Sequence, residues 1–173
     1  MIPMRRSGAL ALLVMTYCVS SNVGAQSTDP TLLGEFNDWT AYVYKATDTK
    51  VCYITARPKS SEPKSAKRDP AFLLITNMPG RKVKGEISTI IGYPFKQDSI
   101  AELKIDEAAF QLFTNADGAW ADTTAAEKKI VAAMKTGKSL TLKGTSWRGT
   151  ETLDTYSLDG VSAALTTIDE ACK

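Results

Sequence analysis

Two cysteines, Cys52 and Cys172, constrain this chain most, because they stand far apart in a protein whose first residues address it to an oxidising compartment. Arg5 and Arg6 precede an uncharged, mostly apolar stretch from Gly8 to Val19, followed by polar Ser20, Ser21 and Asn22 and the small residues Val23, Gly24 and Ala25. That is the order of a cleavable secretory signal, with the cut expected after Ala25. The apolar run of about 12 residues is too short for a membrane span, which needs roughly 20; the competing expectation is an uncleaved N-terminal anchor. Cys18 departs with the leader, and the bulky Tyr17 before it does not suit lipid attachment. Cys52 and Cys172 then remain as an even pair with only one connectivity. A bridge closing so long a loop contributes on the order of 4 to 5 kcal/mol through chain entropy, before native strain. Two separate buried thiols are the alternative.

Residues 26–173 suit one domain with a substantial core, and 1–25 are assigned to the signal. The full chain has 21 Lys and Arg against 19 Asp and Glu. Loss of Arg5 and Arg6 with the leader makes that balance even. Nucleic acid is therefore not expected as a partner, since its binding shows as a basic excess. No second long apolar segment follows the leader, so the mature domain is not expected to span a membrane.

Short stretches rich in Val, Ile, Thr, Tyr and Phe, separated by Gly, Pro and Asp clusters, predict an antiparallel β protein. Residues 39–45 and 50–57 read as strands around a turn at Ala46, Thr47, Asp48 and Thr49. The period of two puts Cys52, Ile54 and Ala56 on one face. Residues 71–76 are nearly continuously apolar, as in a strand buried on both faces. Further strands are predicted over 85–91, 101–106, 109–114, 140–143 and 150–158, giving about eight. In 101–106, Ala101, Leu103 and Ile105 alternate with Glu102, Lys104 and Asp106.

Two helices complete the prediction. One opens on a capping box at Thr124 to Glu127 and closes on Gly137 as a left-handed cap. In the other, Val161, Leu165, Ile168 and Cys172 recur at helical spacing, which turns Cys172 toward the core and toward Cys52.

The chain contains no histidine, which excludes Ser-His-Asp and Cys-His catalysis, histidine-zinc hydrolysis and proximal-histidine haem binding within it. Paired cysteines disfavour thiolate chemistry. Asp117, Asp122 and Asp154 are candidates for acid–base work because they stand near predicted turns. Residues 115–118 resemble a calcium loop only superficially, lacking its first and closing ligands, and read instead as a β-turn. Ser146 with Lys143 has weak dyad spacing. Arg57, Lys59, Lys64, Lys67 and Arg68, with Arg81, Lys82 and Lys84, form a possible basic patch for an anionic lipid or polysaccharide, or a solvated loop. Trp147 and Arg148 lie between glycines at a predicted hairpin tip, a residue pair enriched at binding hot spots; core packing of Trp147 is the competing expectation. No catalytic, cofactor-binding or metal-ligating constellation emerges.

Phe36-Asn37-Asp38-Trp39-Thr40, Val51-Cys52-Tyr53, Gly92-Tyr93-Pro94-Phe95, Asp117-Gly118-Ala119-Trp120 and Gly144 to Thr150, running on to Asp154-Thr155-Tyr156-Ser157-Leu158, occur in order over nearly the whole mature chain. In these the chain resembles invasion-associated locus B (IalB) proteins. The resemblance implies an exported alphaproteobacterial protein with an immunoglobulin-like antiparallel β-sandwich and brings no catalytic residues. The family's namesake is linked to invasion of host erythrocytes, a role that does not transfer to members of bacteria that invade nothing. The resemblance also implies a smaller residue at position 147, so Trp147 stands as a departure. The expectation is a periplasmic or envelope-associated protein, reaching the cell surface or secreted, that binds a protein or envelope component. A histidine-independent hydrolase using acidic residues and a structural envelope stress protein are the alternatives.

Overall fold

A computed structural model describes residues 29–45 and 49–173. The leader, its cleavage point and most of the turn at 46–49 lie outside the described residues. Eleven strands, β1 (Thr31–Phe36), β2 (Trp39–Lys45), β3 (Lys50–Ala56), β4 (Ser60–Glu62), β5 (Phe72–Met78), β6 (Val83–Ile90), β7 (Ile100–Ile105), β8 (Ala108–Asn115), β9 (Gly118–Trp120), β10 (Ser139–Thr145) and β11 (Glu151–Ser157), combine with helices α1 (Thr124–Thr136) and α2 (Val161–Ala171). The expected mainly β, antiparallel class with two short helices holds, and the eight predicted strands are all present. β1, β4 and β9 are additional.

The strands form one continuous antiparallel ladder in the order β1-β2-β3-β5-β6-β9-β8-β7-β10-β11-β4. β3 and β4 stand third and eleventh in it, yet the chain from Ala56 to Ser60 reaches at most about 14 Å. In a flat sheet those strands would lie about 38 Å apart. The ladder must therefore fold back on itself, as fits a β-sandwich. The seam is stitched by Lys59 N donating to Thr155 O (2.7 Å), by Trp39 Nε1 donating to Ser157 O (3.1 Å), and by Lys59 Nζ on Asp38 Oδ1 (2.5 Å). The bond from Lys59, with another from Ser157, holds the Asp38 carboxyl below its ordinary range.

Alternation decides what lies inside. Cys52, Ile54 and Ala56 of β3, Ala101, Leu103 and Ile105 of β7, and Leu140 and Leu142 of β10 all belong to one buried cluster with Trp39 and Tyr156. β5 corrects the expectation of burial on both faces: Leu73, Ile75 and Asn77 are buried, while Phe72, Leu74 and Thr76 are only half-covered. Its near-continuous apolar run reflects an outer surface that is itself partly apolar.

Both predicted ends of α1 need correction. Thr123, one residue earlier than expected, is the N-cap and accepts from Ala126 N (3.2 Å). Glu127 consequently falls one position too late for a capping box. Gly137 is extended rather than left-handed, at φ −79° and ψ 170°. Glycine suits that position sterically, because a Cβ there would stand 2.7 Å from Ile105 Cγ2. α2 buries Val161, Ala164, Leu165 and Ile168 against the β1, β2, β3 and β5 side. Cys172, at its end, is bonded to Cys52 across a sequence separation of 120, with the Cα atoms 6.0 Å apart. Among the described residues no helix is long and apolar enough to cross a membrane.

Candidate functional site

The β10–β11 hairpin is closed by its own backbone. Gly149, at φ +84°, lets the chain reverse, its N–H donates to Ser146 O (2.8 Å), and Ser146 Oγ accepts from Thr150 N (3.1 Å). A second segment clamps the tip from the side: Trp147 N donates to Pro94 O and Lys96 N to Thr145 O, both at 2.9 Å. With its backbone so held, Trp147 projects its indole outward at 60 % exposure, which excludes core packing. The Arg148 guanidinium lies 4.7 Å from the indole centroid, a cation–π distance.

Beneath this tip is a buried ion pair. Asp154 sits mid-strand in β11 with its side chain fully buried, rather than near a turn, and Arg68 is 9 % exposed. Arg68 Nη1 donates to Asp154 Oδ2 (2.8 Å) and to Ile91 O (2.9 Å), while Nη2 contacts Asp154 Oδ1. Ser61 Oγ donates to Oδ1 of the same carboxylate at 2.6 Å. Burial works against the Arg68 charge, but the hydrogen bonds and charge of Asp154 outweigh it and leave the guanidinium above its ordinary pKa. The fork of two parallel N–H donors matches a carboxylate, which lysine would not do.

The segment carrying Arg68 is fixed where it crosses Gly92. Asp69 N donates to Gly92 O (3.0 Å), and a Cβ on Gly92 (φ +80°) would fall 2.0 Å from Asp69 O, so no larger residue fits. Next to it, Tyr93 Oη and Thr152 Oγ1 are 2.5 Å apart, and the Tyr93 ring lies 5.8 Å from the Arg68 guanidinium carbon. Burial raises the Tyr93 phenol above its ordinary pKa, although the Thr152 bond opposes this. Gly144 leaves room for the neighbouring rings: a Cβ there would come within 2.7 Å of Phe95 and 3.0 Å of Tyr93 Oη. Together these elements bound a groove of about 750 Å³ lined by Lys67, Arg68, Tyr93, Trp147, Arg148 and Thr152 among others.

The other sequence candidates are not assembled. Ser146 Oγ is engaged by its own hairpin, and Lys143 Nζ pairs with Glu151 (3.1 Å), so the two form no dyad. Asp117 and Asp122 are exposed, at the β8–β9 turn and ahead of α1, whereas Asp154 is sealed under Arg68. Among the described residues no group of three or more acidic or cysteine side chains is placed to hold a metal ion. The two basic stretches do not merge. Phe72 pairs with Ile90 and Met78 with Val83, so residues 57–69 lead into one end of the β5–β6 hairpin and 81–84 lie at the other, about 20 Å along. Lys59 and Lys84 are paired with Asp38 and Asp169, and Arg57 lies over the Phe72 ring.

The segments that bound the groove, residues 92–95 and 144–150, are among those on which the sequence resemblance rests. A family model for the invasion associated locus B (IalB) protein matches residues 39–169. The chain belongs to the IalB family. No curated protein and no solved structure matches it. In this IalB member the matched span takes in the groove, the ion pair under it and Cys52, while Cys172 lies just beyond. Sequence reasoning found the Trp147 and Arg148 rim but missed Arg68 with Asp154 as its support. The available signal was the shared face of Thr152, Asp154 and Tyr156 in one strand.

Proposed function

We propose that this IalB family member is an exported protein of the periplasm or envelope that works by binding, with the groove under Trp147 as its contact site. The observation that carries the reading is a large indole held mostly in solvent by a backbone-clamped hairpin. An exposed Trp stacked with Arg at the rim of a preformed concavity is a residue pair of the kind that dominates binding energy where it meets a partner. The leader-like N-terminus and the cysteine pair support passage through an oxidising compartment. The hydrolase alternative needs two carboxylates facing one space, and Asp69 is the one acidic residue in the groove lining.

The test is site-specific photocrosslinking in cells of the source organism, with the crosslinking residue at position 147 and, as a control, at exposed Glu107 on the opposite turn of β7–β8. Reproducible, identified capture of an envelope protein or glycan from 147 alone supports binding. Equal capture from both positions, capture from neither, or fractionation of the protein to the cytosol refutes the reading.

A further inference from the structure

Resting on the groove as a binding site, we infer that its ligand is an acidic saccharide, a sugar chain bearing carboxylate or phosphate groups. Three features of the lining converge on that chemistry. The first is the plate: Trp147, 60 % exposed, offers a flat amphipathic surface of the kind that the C–H face of a sugar ring covers. The second is the wall behind it, where Ser65 and Thr150 are exposed and offer hydroxyls, beside Tyr93 and Thr152, whose hydroxyls are bonded to each other. A hydroxyl donates and accepts, as does each hydroxyl of a sugar, so the two sets match in either orientation.

The third feature is charge. Arg68 lies in the groove lining, but Asp154 already neutralises it. Lys67 and Arg148 have no carboxylate partner among the described residues, and Asp69 is the single acid that opposes them in the lining. The groove therefore keeps surplus positive charge on a chain whose charges otherwise balance after the leader. An Arg fork and a Lys point charge in the lining of one groove can donate to either carboxylate or phosphate oxygens.

A peptide partner fits less well. Protein interfaces are organised around a desolvated apolar centre with a polar rim. Here the order is inverted, because the floor is an ion pair and hydroxyls while the exposed aromatic surface is at the rim. The volume of about 750 Å³ is in the range of sites for small ligands rather than an extended face.

The experiment follows the indole N–H resonance of Trp147 in the ¹⁵N-labelled exported protein, assigned by its loss in Trp147→Phe. Four probes are titrated: tetragalacturonate, the uncharged galactose tetrasaccharide, hexaglutamate, and phosphatidylglycerol vesicles. The expected result is a saturable shift with tetragalacturonate, binding of the neutral sugar at least about tenfold weaker, and a loss of about tenfold in Arg148→Gln, the scale of one charge-assisted hydrogen bond. Hexaglutamate or vesicles binding as tightly as the acidic sugar overturns the saccharide, because charge alone then suffices. Equal binding of the neutral sugar overturns the acidic requirement. If no probe moves Trp147 while crosslinking from position 147 captures an identified protein, the ligand class falls and the binding reading stands; silence in both removes both.

Discussion

At the α2 flank, the C-terminus is fastened to β3 by sulfur, and the buried contacts are mostly apolar: Val161, Ala164, Leu165 and Ile168 belong to the same cluster as Ile54 and Ile75, with Asp169 bonded to Asn77 and Lys84 at its edge. At the groove flank, residues 61–69 are fastened to β11 by charge, through Arg68, Asp154 and Ser61, with Tyr93 and Thr152 beside them. Both arrangements join segments distant in sequence, separated by 120 positions in one case and 86 in the other. They differ in what they leave facing outward. Apolar closure consumes its side chains, and the cavity of about 550 Å³ beside α2 is lined by cations that share it with Asp169 and Glu127. An ion pair demands polar neighbours for its remaining lone pairs and protons. Here Ser61 Oγ and Ile91 O meet that demand, and the adjoining groove carries hydroxyls and cations that the pair does not use. The flank closed by charge is thus the one that carries the exposed Trp147 and the cations without a carboxylate partner among the described residues, on which the proposed binding role rests.

The comparison is tested most severely at Asp154. Replacing it by alanine leaves the buried Arg68 guanidinium without a counter-charge, with its bond to Ile91 O remaining, and the expected loss is about 3 to 5 kcal/mol in urea unfolding. The double change Arg68→Met with Asp154→Leu recovers most of that loss, since an apolar pair of similar volume is often neutral or better. The double variant should keep its fold while losing the groove's ligand. A double variant as unstable as Asp154→Ala would show that the pair is integral to the fold, and the contrast between flanks would break.

Second in size is the α2 clasp. Changing Cys52 and Cys172 together to serine is expected to cost about 2 to 5 kcal/mol, mainly by freeing the unfolded chain. Groove binding measured below the new transition should be unchanged, because the cysteines neither line the groove nor touch its floor. Weakened binding in the folded serine variant would mean that the two flanks are coupled rather than independent.

How far the sequence revealed these two flanks follows from the same physics. The α2 flank was legible because its signals are local: Cys52, Ile54 and Ala56 share a strand face, and Val161, Leu165 and Ile168 share a helix stripe. β7 was legible for the same reason, with Ala101, Leu103 and Ile105 alternating against charge. β1 was not, since a register irregularity at Leu32 to Gly34 breaks its period and Leu32 points outward. β4 and β9, at three residues each, are too short to show a period. Asp154 was misplaced because the stretch Leu153-Asp154-Thr155-Tyr156 offers two conflicting parities. Leu153 inward would put Asp154 in water, and Tyr156 inward buries it. The structure takes the second, leaving Leu153 exposed, and what pays for it is an arginine 86 residues earlier that no local pattern announces.

The smallest effect expected is at Tyr156, which marks where the charged floor ends and the apolar core begins. Its side chain is fully buried, and its Oη has no hydrogen-bond partner among the described residues. Burial, then the charge of Asp154, push its ionisation upward, with Arg68 opposing. The folded phenol thus holds its proton to higher pH than the unfolded one, which titrates near pH 10. The preference for the protonated form is fully present below about pH 10 and is lost as pH rises beyond it, by up to about 1.4 kcal/mol per pH unit. Tyr156→Phe should therefore change stability at pH 7 by no more than about 1 kcal/mol, toward stabilisation, because the hydroxyl it removes makes no bond. It should also flatten the alkaline limb between pH 10 and 11. Urea titrations at pH 7 and pH 11 measure both. A loss above about 1 kcal/mol at pH 7 would mean that the phenol is satisfied through a buried water. The polar floor would then reach one residue deeper into the core than the boundary drawn between the two flanks.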